Sequence, residues 1–268
     1  MIKDITLGQY FPGTSVIHKL DPRAKILFTL LYVVSLFLVR RLLGFVIAGA
    51  LMLLIITLSG ISFKTVLKSV RPLLFIIAFT AVFNVLYGSG APIFAHIPWL
   101  AWLTWGGVRN AVFMAVRIIL LVVGTSFMTY TTSPIMLTGA MESLLSPLKA
   151  LKVPVHELSM MMTIALRFIP TLVDETDKII NAQKARGADF ETGNLFRRAK
   201  ALVPILVPLM ISAFRRAEEL ADAMECRCYH GGDDRTKYKI YHFALRDLWA
   251  ALVMVLYLAA VIVISFIV

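Results

Sequence analysis

The sequence is poor in charged residues, acids and cysteine. Charged residues occupy only 16% of its 268 positions, against roughly 25% in soluble domains, and 59% of the chain is hydrophobic. The pattern G-x-x-x-x-G-K-[ST], whose loop holds the phosphates of ATP, does not occur in it. The composition therefore excludes a soluble protein, and the missing loop means that any energy from ATP has to come from a partner.

Five apolar runs approach the roughly 20 residues that a membrane-spanning helix needs. They cover residues 26–39, 42–58, 70–87, 108–130 and 248–268. We therefore predict an all-α integral membrane protein with about five transmembrane helices. Apart from Asp247, at the start of the last run, these spans hold no acidic residue. A proton relay or ion pathway across the bilayer therefore lacks its side chains.

One cation, Arg117, lies well inside the fourth run. An arginine within the membrane costs at least about 2.5 kcal/mol on insertion scales, so we expect it to face protein rather than lipid. It either belongs to a conduction path or serves as a structural partner for backbone carbonyls. We favour the structural interpretation.

The distribution of charge predicts three regions. Residues 1–130 contain eleven Lys or Arg against two acids, whereas residues 131–245 contain fifteen against thirteen. By the positive-inside rule the N-terminus and residues 131–245 are cytoplasmic, and the uncharged, Trp-rich stretch 88–107 is an outer loop. We expect transmembrane helices in 1–130, a cytoplasmic coupling domain in 131–245 and a last transmembrane helix in 246–268. Because the basic excess serves orientation, we expect no nucleic-acid partner.

Residues 131–245 read as amphipathic helices that are too polar to span a membrane. Ser133 and Pro134 are typical of a helix start, and further helices are predicted over 155–185 and 202–226. We expect these to form a cytoplasmic or interfacial bundle. Methionines recur where it could contact another protein, or else they fill its core; they are Met136, Met141, Met160, Met161 and Met162.

Two of these predicted helices end in an arginine that continues a largely apolar face. The steps of four and three residues that relate Leu172, Thr176, Ile179 and Gln183 lead to Arg186, and those that relate Ala213, Ala217, Leu220 and Met224 lead to Arg227. Each arginine is either a cap that matches the helix dipole or a guanidinium presented to a carboxylate on another protein. Gly187 suits the left-handed residue that ends a helix.

The remaining polar motifs do not converge on a catalytic or metal site. Cys226, Cys228 and His230 are too few ligands for a closed zinc site, so we expect no metal. The pair Asp233-Asp234 would be the centre of a membrane-embedded lipid or prenyl enzyme, a remote alternative that needs more convergent ligands. A secondary transporter or channel would show paired membrane repeats, whereas the similarity here is confined to the two helix ends.

Several motifs in order along the chain resemble those of the T component, EcfT, of energy-coupling factor transporters. They are "HKLDPRAKI" at 18–26, "TTSP" at 131–134, "ALRFIPTLVDE" at 165–175, "AQKARGADF" at 182–190 and "AMECRCY" at 223–229.

The resemblance implies a multi-pass, non-catalytic subunit of the bacterial cell membrane that couples two ABC ATPases to an exchangeable, substrate-binding S component. It implies that the ATPases dock on two X-Arg-X motifs: Ala185, Arg186 and Gly187, then Cys226, Arg227 and Cys228. No cofactor is expected on this chain, and ATP and Mg are expected on the ATPases. Family members often have Gly where this chain has Cys228, which leaves the left-handed cap at the second tip an open question. The alternative within the family is a T component dedicated to cobalt, nickel or biotin uptake.

Overall fold

The computed structural model describes residues 10–88, 104–188, 190, 194–231 and 243–266. The described chain is helical. Its helices are α1 (Pro22–Leu38), α2 (Leu42–Ser59), α3 (Phe63–Val70), α4 (Leu74–Leu86), α5 (Trp105–Thr131), α6 (Pro134–Leu145), α7 (Val155–Ala185), α8 (Leu195–Glu225) and α9 (Leu245–Phe266). The prediction of an all-α membrane protein is thereby confirmed.

Four helical segments among the described residues are long and apolar enough to cross a membrane. They are Leu42–Ser59, Phe63–Leu86, Trp105–Thr131 and Leu245–Ser265. The fifth predicted span corresponds to α1, whose 17 residues are at the lower limit of the length that spans a bilayer. The segment Phe63–Leu86 consists of α3 and α4 joined by a single 3-10 turn, Arg71–Leu73. This turn contains Pro72, whose missing N–H removes one bond of an α-helical ladder.

The chain divides into two compact units, one of residues 7–137 with 240–268 and the other mainly of residues 138–239. In the first unit α1 and α2 both pack on α5 and α9. Its apolar core contains Tyr32, Leu36 and Phe127. The hydroxyls of Ser35 and Tyr257 are 2.7 Å apart inside this core, so these two buried hydroxyls satisfy each other.

The starts of α1 and α9 are joined by two aspartates. The Asp21 side chain accepts from Arg23 N (2.9 Å) and so caps the start of α1. Asp247 accepts from Ala244 N (2.8 Å) at the start of α9, and its other oxygen accepts from Asp21 N (2.8 Å). Asp247 thus satisfies backbone donors of two helices, a role that its position at the edge of an apolar run did not reveal.

Arg117 has the contacts expected of the structural interpretation. Its guanidinium donates to the carbonyl of Val39 (3.1 Å), directly after the end of α1. The guanidinium carbon also lies over the rings of Phe37 and Phe45, at 5.9 and 5.6 Å from their centroids. Carbonyls at the end of a helix have no hydrogen-bond donor within the helix, and Arg117 supplies a donor to one of them. The aromatic rings screen its guanidinium from lipid.

Candidate functional site

The first arginine tip, at the end of α7, is closed by a Schellman motif. Arg186 is the last residue of the turn, and Gly187 follows it in the left-handed region at φ 86°. Gly187 N donates to Lys184 O (3.0 Å), and Ala188 N donates to Gln183 O (3.0 Å). These two bonds satisfy carbonyls that α7 leaves open, so Gly187 has the predicted conformation and the direction of the chain at Arg186 is fixed.

The second tip, at the end of α8, has the same motif without a glycine. Cys228 N donates to Glu225 O (2.9 Å) and Tyr229 N donates to Met224 O (3.1 Å), while Cys228 lies at φ 56°. The question that the sequence left open is therefore answered: the left-handed cap forms with cysteine. A side chain in this region costs about 1–2 kcal/mol, which the two hydrogen bonds offset. Arg227 consequently occupies the same position in its motif as Arg186.

Both arginines are presented to solvent. Arg186 and Arg227 are exposed, as are their neighbours Ala185, Cys226 and Cys228. Within the described part of the chain neither guanidinium has a hydrogen bond or ion pair. An arginine carries five donors, so each tip offers an unused, planar set of donors to another molecule.

The helices that carry the tips cross each other in antiparallel directions. Gln183 Nε2 donates to Pro204 O (3.3 Å), and farther along the pair Ser212 Oγ donates to Glu175 Oε1 (2.5 Å). Because the later residue of α7 contacts the earlier residue of α8, the two helices run in opposite directions. At 1.5 Å per residue, Arg186 lies roughly 16 Å from Glu175 and Arg227 roughly 22 Å from Ser212, on opposite sides of this level. The two tips are therefore well separated along the pair of helices.

The Gln183 bond also compensates for a proline within α8. In a regular helix the carbonyl of Pro204 would accept from the N–H four residues later, but that residue is Pro208, which has none. Gln183 donates to this carbonyl instead. The helix continues through both prolines and begins at Leu195, seven residues before the predicted start at 202, whereas α7 has its predicted bounds.

An ion pair braces the crossing of α7 and α8. Arg216 donates to Glu175 Oε2 from Nη2 (2.8 Å) and Nε (3.2 Å). The hydrogen bond from Ser212, together with Arg216, lowers the pKa of Glu175 below its usual 4.5. Glu175 is thus held as an anion by contacts with α8 on both of its oxygens.

A second polar contact connects α7 to α6. His156 Nδ1 lies 3.1 Å from Glu142 Oε1, and Ser159 Oγ donates to Glu142 Oε2 (3.2 Å). Ser159 is buried, and both partners of the His156–Glu142 pair are largely shielded. These contacts tie the start of α7 to the second half of α6.

The predicted methionine surface is only partly exposed. Met141, Met161 and Met162 are exposed, whereas Met136 and Met160 are half-buried. The pattern is consistent with both interpretations, since three side chains are available to a partner and two fill space within the fold.

A larger apolar surface on α8 was missed in the sequence. Its side chains are each about half exposed or more and lie on the side of the helix away from the buried Ile205 and Ser212. We call it the α8 face; it consists of Leu202, Val203, Leu206, Val207, Met210, Ile211 and Phe214. The sequence feature that could have revealed the α8 face is the recurrence of apolar residues at intervals of three and four. In α8 these residues lie on two sides of the helix, one of which is exposed.

The remaining predicted features either lie outside the described residues or do not form a cluster of possible metal ligands. Asp233-Asp234 and most of the proposed outer loop lie outside the described residues. Cys226 and Cys228 are free thiols. In the part of the chain that the structure describes, no three His, Cys, Asp or Glu side chains come together as metal ligands would.

Comparison with known proteins gives consistent matches over the chain. Residues 13–238 match the family described as CbiQ, cobalt transport protein. A relative from Ruminiclostridium cellulolyticum, named energy-coupling factor transporter transmembrane protein EcfT, is 48% identical over 100% of this chain and 99% of its own. Proteins of the same name from Clostridium kluyveri (53% identity, 94% and 93% covered) and Lacticaseibacillus paracasei (47%, 92% and 93%) are also similar.

Proposed function

This chain belongs to the CbiQ cobalt transport protein family and to the EcfT proteins within it, and we propose that it is the membrane scaffold of an energy-coupling factor transporter. In this role it couples ATP hydrolysis by two ABC ATPase subunits to micronutrient uptake through an exchangeable S component. The chain itself is non-catalytic and binds no cofactor, because ATP and Mg are held by the ATPases. The observation that carries the proposal is the pair of identically capped, exposed and unpaired arginines, Arg186 and Arg227.

Each arginine tip enters a groove on one ATPase subunit. A guanidinium can hold a carboxylate through two parallel hydrogen bonds, which fixes orientation as well as position. The Schellman motifs fix the backbone at both arginines. Two tips on opposite sides of the helix crossing suit two ATPase subunits better than one.

The polar braces convert movement of the ATPases into movement of the scaffold. Because Glu175, Ser212 and Arg216 join α7 to α8, a displacement at either tip moves both helices. The Glu142 contacts with His156 and Ser159 extend this connection to α6. We infer that the three helices act as one lever rather than as independent arms.

The exposed methionines and the α8 face form the surface that grips the S component. Methionine and other flexible apolar side chains repack around different partners, which suits a scaffold shared among several S components. We propose that the coupling helices lie in the cytoplasm or at its membrane interface, with the N-terminus also cytoplasmic, in a bacterial plasma membrane. No nucleic acid takes part.

A second candidate within the family is a T component dedicated to one metal or vitamin system. The description of the matching family as a cobalt transport protein favours it. Uptake assays with several S components co-expressed singly would decide: a shared scaffold supports uptake with each, and a dedicated one supports uptake with a single S component.

Affinity purification from native membranes tests the proposed coupling. We would compare the wild type with an Arg186→Ala/Arg227→Ala double variant and with Lys184→Ala, a matched control that removes another cation from the last turn of α7. Two ABC ATPases and a small membrane protein should accompany the wild type and the control, and the ATPases should be lost from the double variant. Retention of the ATPases by the double variant would show that the arginines are caps only.

A further inference from the structure

A cavity of about 280 Å³ lies within the unit of residues 7–137 and 240–268. It is formed by α1, α2, α5 and α9 together with the residues before α1. Its walls are mainly apolar, with Phe28, Leu51, Phe127 and Met254 among them. This volume is close to the roughly 300 Å³ at which small-ligand pockets begin, so the cavity can hold a guest.

Apart from Arg246 at the edge, the polar side chains that line the cavity each make a hydrogen bond within the protein. The hydroxyls of Thr29, Tyr32 and Thr131 donate to backbone carbonyls at 2.8, 3.4 and 3.0 Å. The buried Lys25 ammonium donates to the carbonyls of His18 and Thr131. A polar guest would have to give up its own hydrogen bonds to water without replacement. The part of the guest that is buried is therefore apolar.

The edge of the cavity carries a different chemistry. Arg246, in the first turn of α9, lines the cavity and is exposed, and it has no ion pair or hydrogen bond within the described part of the chain. Trp249, three residues later on the same side of the helix, also lines the cavity and is 67% exposed. Trp and Arg at the end of a membrane helix are typical of the depth of lipid headgroups. A guanidinium there favours a phosphate.

We propose that this cavity and Arg246 together bind one anionic phospholipid. One acyl chain of the lipid occupies the space between α1, α2, α5 and α9, and its phosphate pairs with Arg246. An anionic phospholipid fits both observations, because the interior accepts an apolar chain and the edge offers an unpaired cation. The surrounding bilayer supplies such molecules. The site is separate from the arginine tips and does not depend on the proposed function.

Native mass spectrometry of the full-length protein in a mild detergent tests this site. The protein is titrated with phosphatidylglycerol and with phosphatidylcholine of the same acyl chains. The wild type should bind one phosphatidylglycerol with preference over phosphatidylcholine. Arg246→Gln should weaken binding of phosphatidylglycerol by about fivefold, the effect of one cation near a membrane surface. Arg71→Gln, which changes an exposed arginine outside the cavity, should leave it unchanged.

The acyl-chain part is tested by filling the cavity. Ala250→Phe and Val253→Phe, at two lining positions of α9, should reduce the binding of both lipids, and a thermal melt confirms that at least one variant is folded. Wild-type affinity in a folded filling variant would overturn the cavity assignment. Equal affinity for the two lipids, or equal losses in Arg246→Gln and Arg71→Gln, would overturn the headgroup assignment. Stronger retention of free oleate than of phosphatidylglycerol would identify a fatty acid and overturn the phospholipid.

Discussion

The sharpest expectation concerns Arg186→Ala, because the cap and docking interpretations give different magnitudes. As a cap, the guanidinium contributes only its interaction with the helix dipole, about 0.3–1 kcal/mol for an exposed cation. The Schellman bonds are made by backbone groups and remain in the variant. The free energy of unfolding should therefore fall by less than about 1 kcal/mol.

The loss in ATPase docking should be much larger. Truncating one partner of a buried charge pair costs about 2–5 kcal/mol, because the other charge stays buried without a partner. This range corresponds to about a 30- to 5,000-fold weaker affinity. Since Arg186 has no partner in the described part of this chain, nothing within the scaffold offsets that loss.

The assay is titration of the purified scaffold with ATPase subunits, alongside thermal melting of the same sample in detergent. Lys184→Ala is the control, because it removes a last-turn cation of α7 that lies outside the X-Arg-X motif. We expect a small change in melting temperature for both variants and a large loss of affinity for Arg186→Ala alone. Equal affinity losses in the two variants, or a large loss of stability with unchanged docking, would refute it.

Three further changes test other parts of the structure. Cys228→Gly should stabilise the second tip by about 1 kcal/mol, because glycine has no side-chain penalty at the observed φ of 56°; slower hydrogen exchange of the last turn of α8 would show it, and faster exchange would contradict the assignment. Glu175 has a lowered pKa, so its contribution to stability is present above pH 4.5 and is lost as the pH falls through the pKa of the folded protein. Melting from pH 7 to pH 3 should therefore show a steeper loss for the wild type than for Glu175→Gln, and parallel curves would count against the brace with Arg216. Arg117→Met should destabilise the membrane unit by about 1–3 kcal/mol, since the carbonyl of Val39 loses its donor; unchanged melting with impaired uptake would instead favour a role in conduction.

Features set by neighbouring residues could be predicted from the sequence. The apolar runs set the membrane helices, and Asp21 with Pro22 set the start of α1. The bounds of α7 and the left-handed Gly187 also followed from local pattern. These features depend on residues within one or two helical turns, where periodicity and capping act directly.

The position of α8 shows where local rules were insufficient. The helix was predicted to start at residue 202, but it begins at Leu195, and Gln183, on another helix, donates to the Pro204 carbonyl that Pro208 leaves without a donor. Cys228 is similar, since residue preference alone does not show whether backbone bonds outweigh the left-handed penalty.

The sequence by itself determined the membrane class, the family motifs and the two arginines at helix ends. Tertiary structure alone decided that α7 and α8 run antiparallel, that Glu175 braces them, and that an apolar cavity with Arg246 at its edge lies among α1, α2, α5 and α9. The physical reason is the separation along the chain between the residues that interact. A cap or an apolar face is specified by residues a few positions apart, whereas a crossing, a brace or a cavity joins residues separated by tens to hundreds of positions, and side-chain packing selects those pairings.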